Sequence, residues 1–428
     1  MIVDETNRYA EQVLQGTDKV WSTTKEEIHA YMGFMILMGI NHLPEIRDYW
    51  SVSEYFRYAP IADRISRDRF EEITRFLHFV DNDSLPARGE EGYSRLQKVD
   101  PVISALKTNF KSAYYPHCEL SIDEAMIPFK GRSSMKQYVP LKPVKRGFKV
   151  WAMADARNGY MYDFNVYTGA TGNREMGLGE KVVLTLAESV KGRHHQLYFD
   201  NYFTSINLLT KLLSEGTYGC GTIRTNRKQY PSEISVEAQR FQRGESAFRQ
   251  SGNLVATAWK DNKVVNVAST LADPSETTSV DRRQKDGTRI SVCCPLCVLL
   301  YNMYMGGVDE ADQLRGYYHV RLKCTKNYKY VFWFMFDVAA TNSFILYSRF
   351  SVTTGTPMTL KQFRVKLAEQ LLGTYMSRKR AGRPRKRPCP PPTSTSTSHL
   401  PSHLKSKRCT YCRDVRSRRK ETVVLQGL

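Results

Sequence analysis

Glu119-Leu120-Ser121-Ile122-Asp123-Glu124-Ala125-Met126 marks the point where the texture of the chain changes. Upstream of it, residues 1–118 carry helical spacing. Thr24 and Glu27 form a capping-box pattern ahead of Ile28, Tyr31, Met32 and Met35. Ser66 precedes Phe70, Ile73 and Leu77 on one face, and Asp100-Pro101 opens a third helix reaching about Ala113. From Glu119 onward the signal is strands. Residues 119–123 form a short strand that ends on a carboxylate, and residues 148–154 and 160–168 form two more, joined at Asn158-Gly159. A helix over about 179–190 leads to the apolar strand 196–199, which also ends on a carboxylate, Asp200. A helix carrying Ile206, Leu209 and Leu213 and a strand over 218–223 complete the group. The order β-β-β-α-β-α-β predicts a mixed α/β fold, its sheet covered by helices.

The rest of the chain interrupts this pattern and then resumes it. Strands over 247–250, 254–259 and 264–269, separated by Ser251-Gly252-Asn253 and Lys260-Asp261-Asn262, predict a β-rich insertion over residues 231–300. Helical spacing returns near Val308, is strong over 328–349 and ends with a helix over about 359–372. Beyond it come a basic stretch and a Pro/Ser/Thr-rich stretch that read as linker.

The charge is uneven. The 428-residue chain carries a formal net charge of +20, and residues 376–428 hold 15 Lys and Arg against 2 Asp and Glu. A strongly basic tail on a mildly basic body points to nucleic acid as partner. The polar, acidic start lacks the basic and apolar regions of a secretory signal. The apolar stretch 31–40 is too short to span a bilayer, so no membrane partner is expected. Nine scattered cysteines fit a reducing compartment rather than a disulfide scaffold. Arg378-Lys379-Arg380 and Arg385-Lys386-Arg387 make a nuclear import candidate, so a nuclear protein is expected.

Three segments place carboxylates where a metal could use them: Asp123 and Asp200 after apolar strand residues, and Asp309 with Asp312 three residues on, sharing one face of a helix. Each alone also reads as a cap: Asp123 of a strand end, Asp200 of the following helix, Asp309 after Gly306-Gly307. Together they are hard oxygen ligands suited to Mg2+ or Mn2+, and two such ions can stabilise the attacking and leaving oxygens of a phosphoryl transfer.

Ser121–Lys130 (SIDEAMIPFK) with Gly131-Arg132, Phe199–Ser205 (FDNYFTS) and Tyr301–Leu314 (YNMYMGGVDEADQL) resemble the motifs of piggyBac-type transposases and of the host proteins derived from them, and 43–51 (LPEIRDYWS) and 336–347 (FDVAATNSFILY) do so too. The resemblance runs from about Asp4 to Leu372. It implies an RNase H-like catalytic domain (residues 119–230 and 301–320) interrupted by the β-rich insertion. A helical dimerisation and DNA-binding domain (1–118 and 321–375) flanks it, followed by a linker (376–404) and a truncated cysteine-rich finger (405–428). It also implies that Asp123, Asp200 and Asp309, with Asp312 as a fourth member, hold Mg2+ or Mn2+ and catalyse cleavage of double-stranded DNA at transposon ends. Hairpin formation at a TTAA flank and joining to a target TTAA follow in such enzymes, and a homodimer is implied. Two rivals share the fold: a domesticated, catalytically silent DNA-binding protein, and an RNase H-like nuclease without strand joining.

The surroundings add candidates for DNA contact. Lys130, Arg132, Lys136, Lys142, Lys145, Arg146 and Lys149 crowd the segment after Asp123, interleaved with Tyr138, Phe148 and Trp151. Such cations hold phosphates and such aromatics stack on unpaired bases, although Phe148 and Trp151, inside a strand, read as core. Arg224, Arg227 and Lys228 follow the last strand, and Arg383, within Gly382-Arg383-Pro384, and Arg385 after it make the core of a minor-groove hook. Cys409 and Cys412, with His399 and His403 before them, outline a Zn2+ site, but the family's finger continues with further ligands and this pattern stops short of them. The expectation is an incomplete finger and a chain shortened at both ends. Cys293, Cys294 and Cys297 read as buried thiols.

Overall fold

The computed structural model of the chain describes residues 1–140, 142–169, 177–351, 355 and 357–377. Helices come first: α1 (Ile2–Leu14), α2 (Lys25–Ile40), α3 (Ala59–Ala62), α4 (Arg67–Phe76) and α5 (Asp100–Ala113). Thr24 caps α2, its hydroxyl accepting from the Glu27 amide at 3.2 Å. The Glu27 carboxylate does not return the bond. It turns inward and accepts from Thr23 Oγ1 (2.7 Å), Arg69 Nε (2.9 Å) and Tyr375 Oη (2.6 Å), so one buried glutamate fastens segments from both ends of the described chain. Helix α5 is capped by Val99, not by Asp100, which lies inside its first turn.

The central sheet follows, with its covering helices: β1 (Glu119–Pro128), β2 (Gln137–Tyr138), β3 (Arg146–Asp155), β4 (Met161–Val166), α6 (Leu178–Ala187), β5 (Gln196–Phe199), α7 (Ile206–Ser214), β6 (Tyr218–Thr222), α8 (Ser232–Glu237), β7 (Ser246–Ser251), β8 (Leu254–Lys260) and β9 (Val264–Ser269). Its order is β2-β3-β1-β5-β6-β9-β8-β7, with β4 also on β3. The pairs β1–β5 and β5–β6 are parallel, and α7 supplies the crossover that the second of them requires. Strand β9 pairs antiparallel with β6, so β7–β9 prolong the central sheet instead of forming a sheet of their own.

Two strands beyond these, β10 (Thr277–Arg283) and β11 (Arg289–Pro295), form a separate hairpin. The first of them does not show in a hydrophobicity pattern. β10 reads Thr-Thr-Ser-Val-Asp-Arg-Arg and alternates between exposed and half-buried, so the two-residue period carries almost no polarity contrast.

The chain then returns through α9 (Leu296–Tyr304), α10 (Gly307–Tyr317), α11 (Asn327–Ser351) and α12 (Leu360–Leu372). Helix α11, not the stretch 31–40, is the longest apolar segment; by length and composition it could cross a membrane, but 61% of its most apolar window is buried inside the protein. It also buries polar groups, and several of them find partners across the fold, although the Trp333 indole nitrogen has none among the described residues. Lys329 donates to the carbonyls of Thr74 (2.6 Å) and Arg75 (3.2 Å), Asp337 pairs with Arg364 (3.3 Å), and Asn342 brackets Met161 through both its amide and its carbonyl. This is the core helix of a folded body. Helix α12 packs on α2 at Gly33, where a Cβ would stand 3.0 Å from both the Ala368 carbonyl and Leu372 Cγ.

Candidate active site

The sheet register brings the first two carboxylates together. Parallel pairing of β1 with β5 runs from Glu119 opposite Gln196 to Ile122 opposite Phe199. The next residue on each side is an aspartate, Asp123 and Asp200. Asp123 is not at a strand end, however. β1 is ten residues long and runs on to Pro128, held by antiparallel pairing with β3, in which Asp123 faces Ala152. The acidic pair Asp123-Glu124 disfavours a strand locally, and β3 overrides that preference. At Asp200 the chain leaves the sheet. Its carboxylate accepts from the Tyr202 amide at 2.8 Å, and the cap of α7 is Ser205, five residues on.

The third carboxylate arrives on α10. Side chains two apart on a strand share a face, so Ser121 and Asp123 point to the same side of β1. Ser121 Oγ accepts from the Val308 amide at 3.1 Å, which docks the first turn of α10 on that side. The approach depends on Gly307, where a Cβ would stand 2.6 Å from Ser121 Oγ and 2.8 Å from the Asp155 carbonyl oxygen. Gly306 is the N-cap, and Asp309 lies in the first turn with two-thirds of its side chain exposed. Asp312 is one turn further on and pairs with Arg315 at 3.1 Å.

Between Asp123 and Asp309 sits a cation of the chain itself. Lys142 Nζ lies 2.8 Å from Asp123 Oδ2 and 3.6 Å from Asp309 Oδ1. Burial alone would lower its pKa, but Asp123, Asp309 and Glu124 outweigh that and hold it above the ordinary lysine value. Asp200 is raised by burial and by repulsion from Asp123, against the Tyr202 amide and Lys142. Burial likewise raises Asp312, moderated by Arg315, and Glu124, whose largest neighbouring charge is Asp123. A cavity of about 410 Å³ opens beside the group, lined by Met126, Lys142, Asp309, Asp312, Arg315 and His319 among others.

Among the described residues, no three His, Cys, Asp or Glu side chains stand close enough as placed to hold a metal ion. The donor set nevertheless fits one. Two carboxylates already converge on a single positive charge, the Lys142 ammonium, and every acidic donor is a hard oxygen of the kind Mg2+ and Mn2+ prefer.

The basic candidates divide by partner. Lys130, Arg132, Lys145 and Arg146 are exposed, and Arg146 lies 5.0 Å over the Tyr138 ring. Lys149 is half-buried, 4.2 Å over Trp151 and 5.5 Å over Tyr202, and burial lowers its pKa. Phe148 and Trp151 are core, and Tyr202, partly exposed, stacks on Trp151 at 5.7 Å. Arg224 donates to Asn201 Oδ1 and Arg227 to the Asn201 and Tyr202 carbonyls, so both brace the turn after Asp200. Cys294 and Cys297 are buried, whereas Cys293 faces outward on β11. Arg383, Arg385, His399, His403, Cys409 and Cys412 lie outside the described residues.

Sequence reasoning left out Ser121 and Gly307, which seat α10, and did not separate Lys142 from the basic residues around it. Gly306-Gly307 was a legible signal, since paired glycines mark close backbone approach as well as caps. For Lys142 the sequence holds no such signal.

A family model described as Transposase IS4 matches residues 1–344. The human PiggyBac transposable element-derived protein 3 is 32% identical over 377 residues, which is 85% of this chain and 62% of that protein. The human PiggyBac transposable element-derived protein 2 is 31% identical over 356 residues, 81% of this chain and 58% of that one. The chain therefore spans about three-fifths of the length of these relatives. Among solved structures, a piggyBac transposase synaptic complex with hairpin DNA superposes with a TM-score of 0.74 at 27% identity, covering 88% of this chain and 77% of that one.

Proposed function

This chain belongs to the IS4/piggyBac transposase family, and on that premise we propose that it is a metal-dependent DNA transposase that cuts and joins DNA at TTAA sites. The observation that supports the reading is the Lys142 ammonium set between Asp123 and Asp309, with Asp200 leaving the sheet beside Asp123 at the end of the parallel strand pair. Mg2+ or Mn2+, when bound, would polarise the phosphodiester and stabilise charge on the entering and leaving oxygens. Asp123, Asp200 and Asp309 would hold it, and Asp312, oriented by Arg315, would support it from one turn away. The exposed Lys130, Arg132, Lys145 and Arg146 would track duplex phosphates. Tyr202, on Trp151 and under Lys149, offers a ring on which an unpaired base could stack.

The same reading assigns a nuclear location and a homodimer, the first from the basic run 378–387 and the second from the family resemblance alone. The rival is a catalytically silent DNA-binding descendant on the same fold.

One experiment separates the two. The full chain is incubated with a TTAA-flanked transposon end and Mg2+, and separately with Mn2+, beside Asp200→Ala. Cleavage by the wild type and none by the variant is the expected result. Equal cleavage by both refutes the site. No cleavage of several end sequences by either favours the silent descendant.

A further inference from the structure

The group at the centre of the candidate site is Lys142, and its position is unusual for a lysine offered to DNA. A phosphate-binding lysine should present its ammonium to solvent. This one is turned into the protein, 2.8 Å from Asp123 Oδ2 and 3.6 Å from Asp309 Oδ1, with 22% of its side chain exposed. Both partners are carboxylates assigned above to metal. Glu124 and Asp200 add to the negative field around it.

Without Lys142, Asp123, Asp200, Asp309, Asp312 and Glu124 would leave several like charges in a partly buried space, with Arg315 paired to Asp312 and Lys149 acting on Glu124, Asp123 and Asp200 but no cation between Asp123 and Asp309. Carboxylates so placed repel one another, and the fold must neutralise them. Lys142 does so. It comes from the connection between β2 and β3, and a compact charge on a four-carbon stem can both reach the acids and leave them. A divalent ion seeks the same oxygens. The two cations cannot hold the Asp123–Asp309 pair together, because they repel at that distance and each carboxylate oxygen has limited capacity to accept.

We propose that Lys142 is an internal counter-cation that competes with the catalytic metal for Asp123 and Asp309, so that metal enters by exchanging with the ammonium. This rests on the metal-dependent reading above. It gives Lys142 a role distinct from that of the exposed lysines around it: it sets how tightly the DNA-free protein holds metal.

The test is Mn2+ binding to the full chain without DNA, followed by the electron paramagnetic resonance of free Mn2+, in the wild type, Lys142→Met, Lys142→Arg and Asp200→Asn. Lys142→Met should bind Mn2+ roughly tenfold more tightly than the wild type, a factor equal to about 1.4 kcal/mol. Lys142→Arg, which keeps the charge, should stay near the wild type. In chelator, Lys142→Met should unfold at a lower temperature than the wild type, and saturating Mn2+ should remove that deficit, which a merely structural lysine would not do. Lys142→Met binding Mn2+ no more tightly than the wild type, while Asp200→Asn binds more weakly, overturns the competition and leaves the metal reading standing. Wild type and Asp200→Asn binding alike, or neither binding, overturns both.

Discussion

Adding one methyl group at Gly307 tests how the third carboxylate is delivered. A Cβ there would stand 2.6 Å from Ser121 Oγ, 2.8 Å from the Asp155 carbonyl oxygen and 2.9 Å from Ala156 Cα. The Ser121 hydroxyl could rotate away, but the other two contacts are backbone in and just after a central strand. Restoring ordinary contact requires α10 to withdraw by roughly 0.5–0.8 Å. Overpacking of this kind costs about 1–3 kcal/mol, and the helical preference of Ala over Gly returns about 0.5–1 kcal/mol. Gly307→Ala should therefore lose about 1–2 kcal/mol in denaturant unfolding. Asp309 moves with the helix, and a misplacement near 1 Å costs on the order of a hundredfold in rate. Single-turnover cleavage of a TTAA-flanked end should fall by that order. Gly306→Ala is the control, because a Cβ at Gly306 meets nothing within 4 Å. Wild-type stability and wild-type cleavage in Gly307→Ala would refute the account of how α10 docks.

Other consequences are open to measurement. Asp337→Asn removes the counter-charge of Arg364, whose side chain is fully buried; unfolding should register a loss of about 3–5 kcal/mol, and a loss under 1 kcal/mol would show the pair to be dispensable. Tyr202→Ala should weaken binding of a hairpin or single-stranded end by about 1–3 kcal/mol while leaving plain duplex affinity unchanged, as judged by fluorescence anisotropy with both ligands. His78 is held down to about 4 by burial between Tyr9, Asn82 and Tyr328. Its folded pKa lies below the unfolded value near 6.5, so the unfolded chain binds the extra proton between those values. Stability should fall as pH drops from about 6.5 towards 4, with a slope from this group of at most about 1.4 kcal/mol per pH unit. His78→Gln should flatten that limb, and an unchanged acid limb would remove His78 from the explanation.

The parts of the fold that sequence reveals are those in which local chemistry and tertiary structure agree. Thr24, Ser66 and Thr359 each cap the helix that follows them, because a hydroxyl three residues before an amide needs no distant help. Asp123 and Asp200 were visible because each follows an apolar strand residue. What the sequence hides is decided by partners far along the chain. β1 outruns its own propensity because β3 pairs with it, and β7–β9 join the central sheet because β6 offers an open edge. Glu27, expected to close a local cap, is drawn to Arg69 and Tyr375 instead. Lys142 looks like any of the basic residues near it until the fold sets its ammonium between two acids contributed from opposite sides of the insertion. The polarity pattern that should announce β10 is faint because that strand is only half-buried on its inner face, whereas β11 buries Val292 and Cys294.

The pairing of β9 with β6 bears on how this lineage of proteins can be shortened. Excising residues 246–269 would leave the Cys220–Thr222 backbone, now matched to Val267–Ser269, without hydrogen-bond partners on that side. A bare strand edge beside the carboxylates is a template for another chain to pair with. The trimmed protein would not be a smaller nuclease core but a sticky one, prone to associate through its sheet before it met any DNA. The insertion thus guards solubility as well as adding surface.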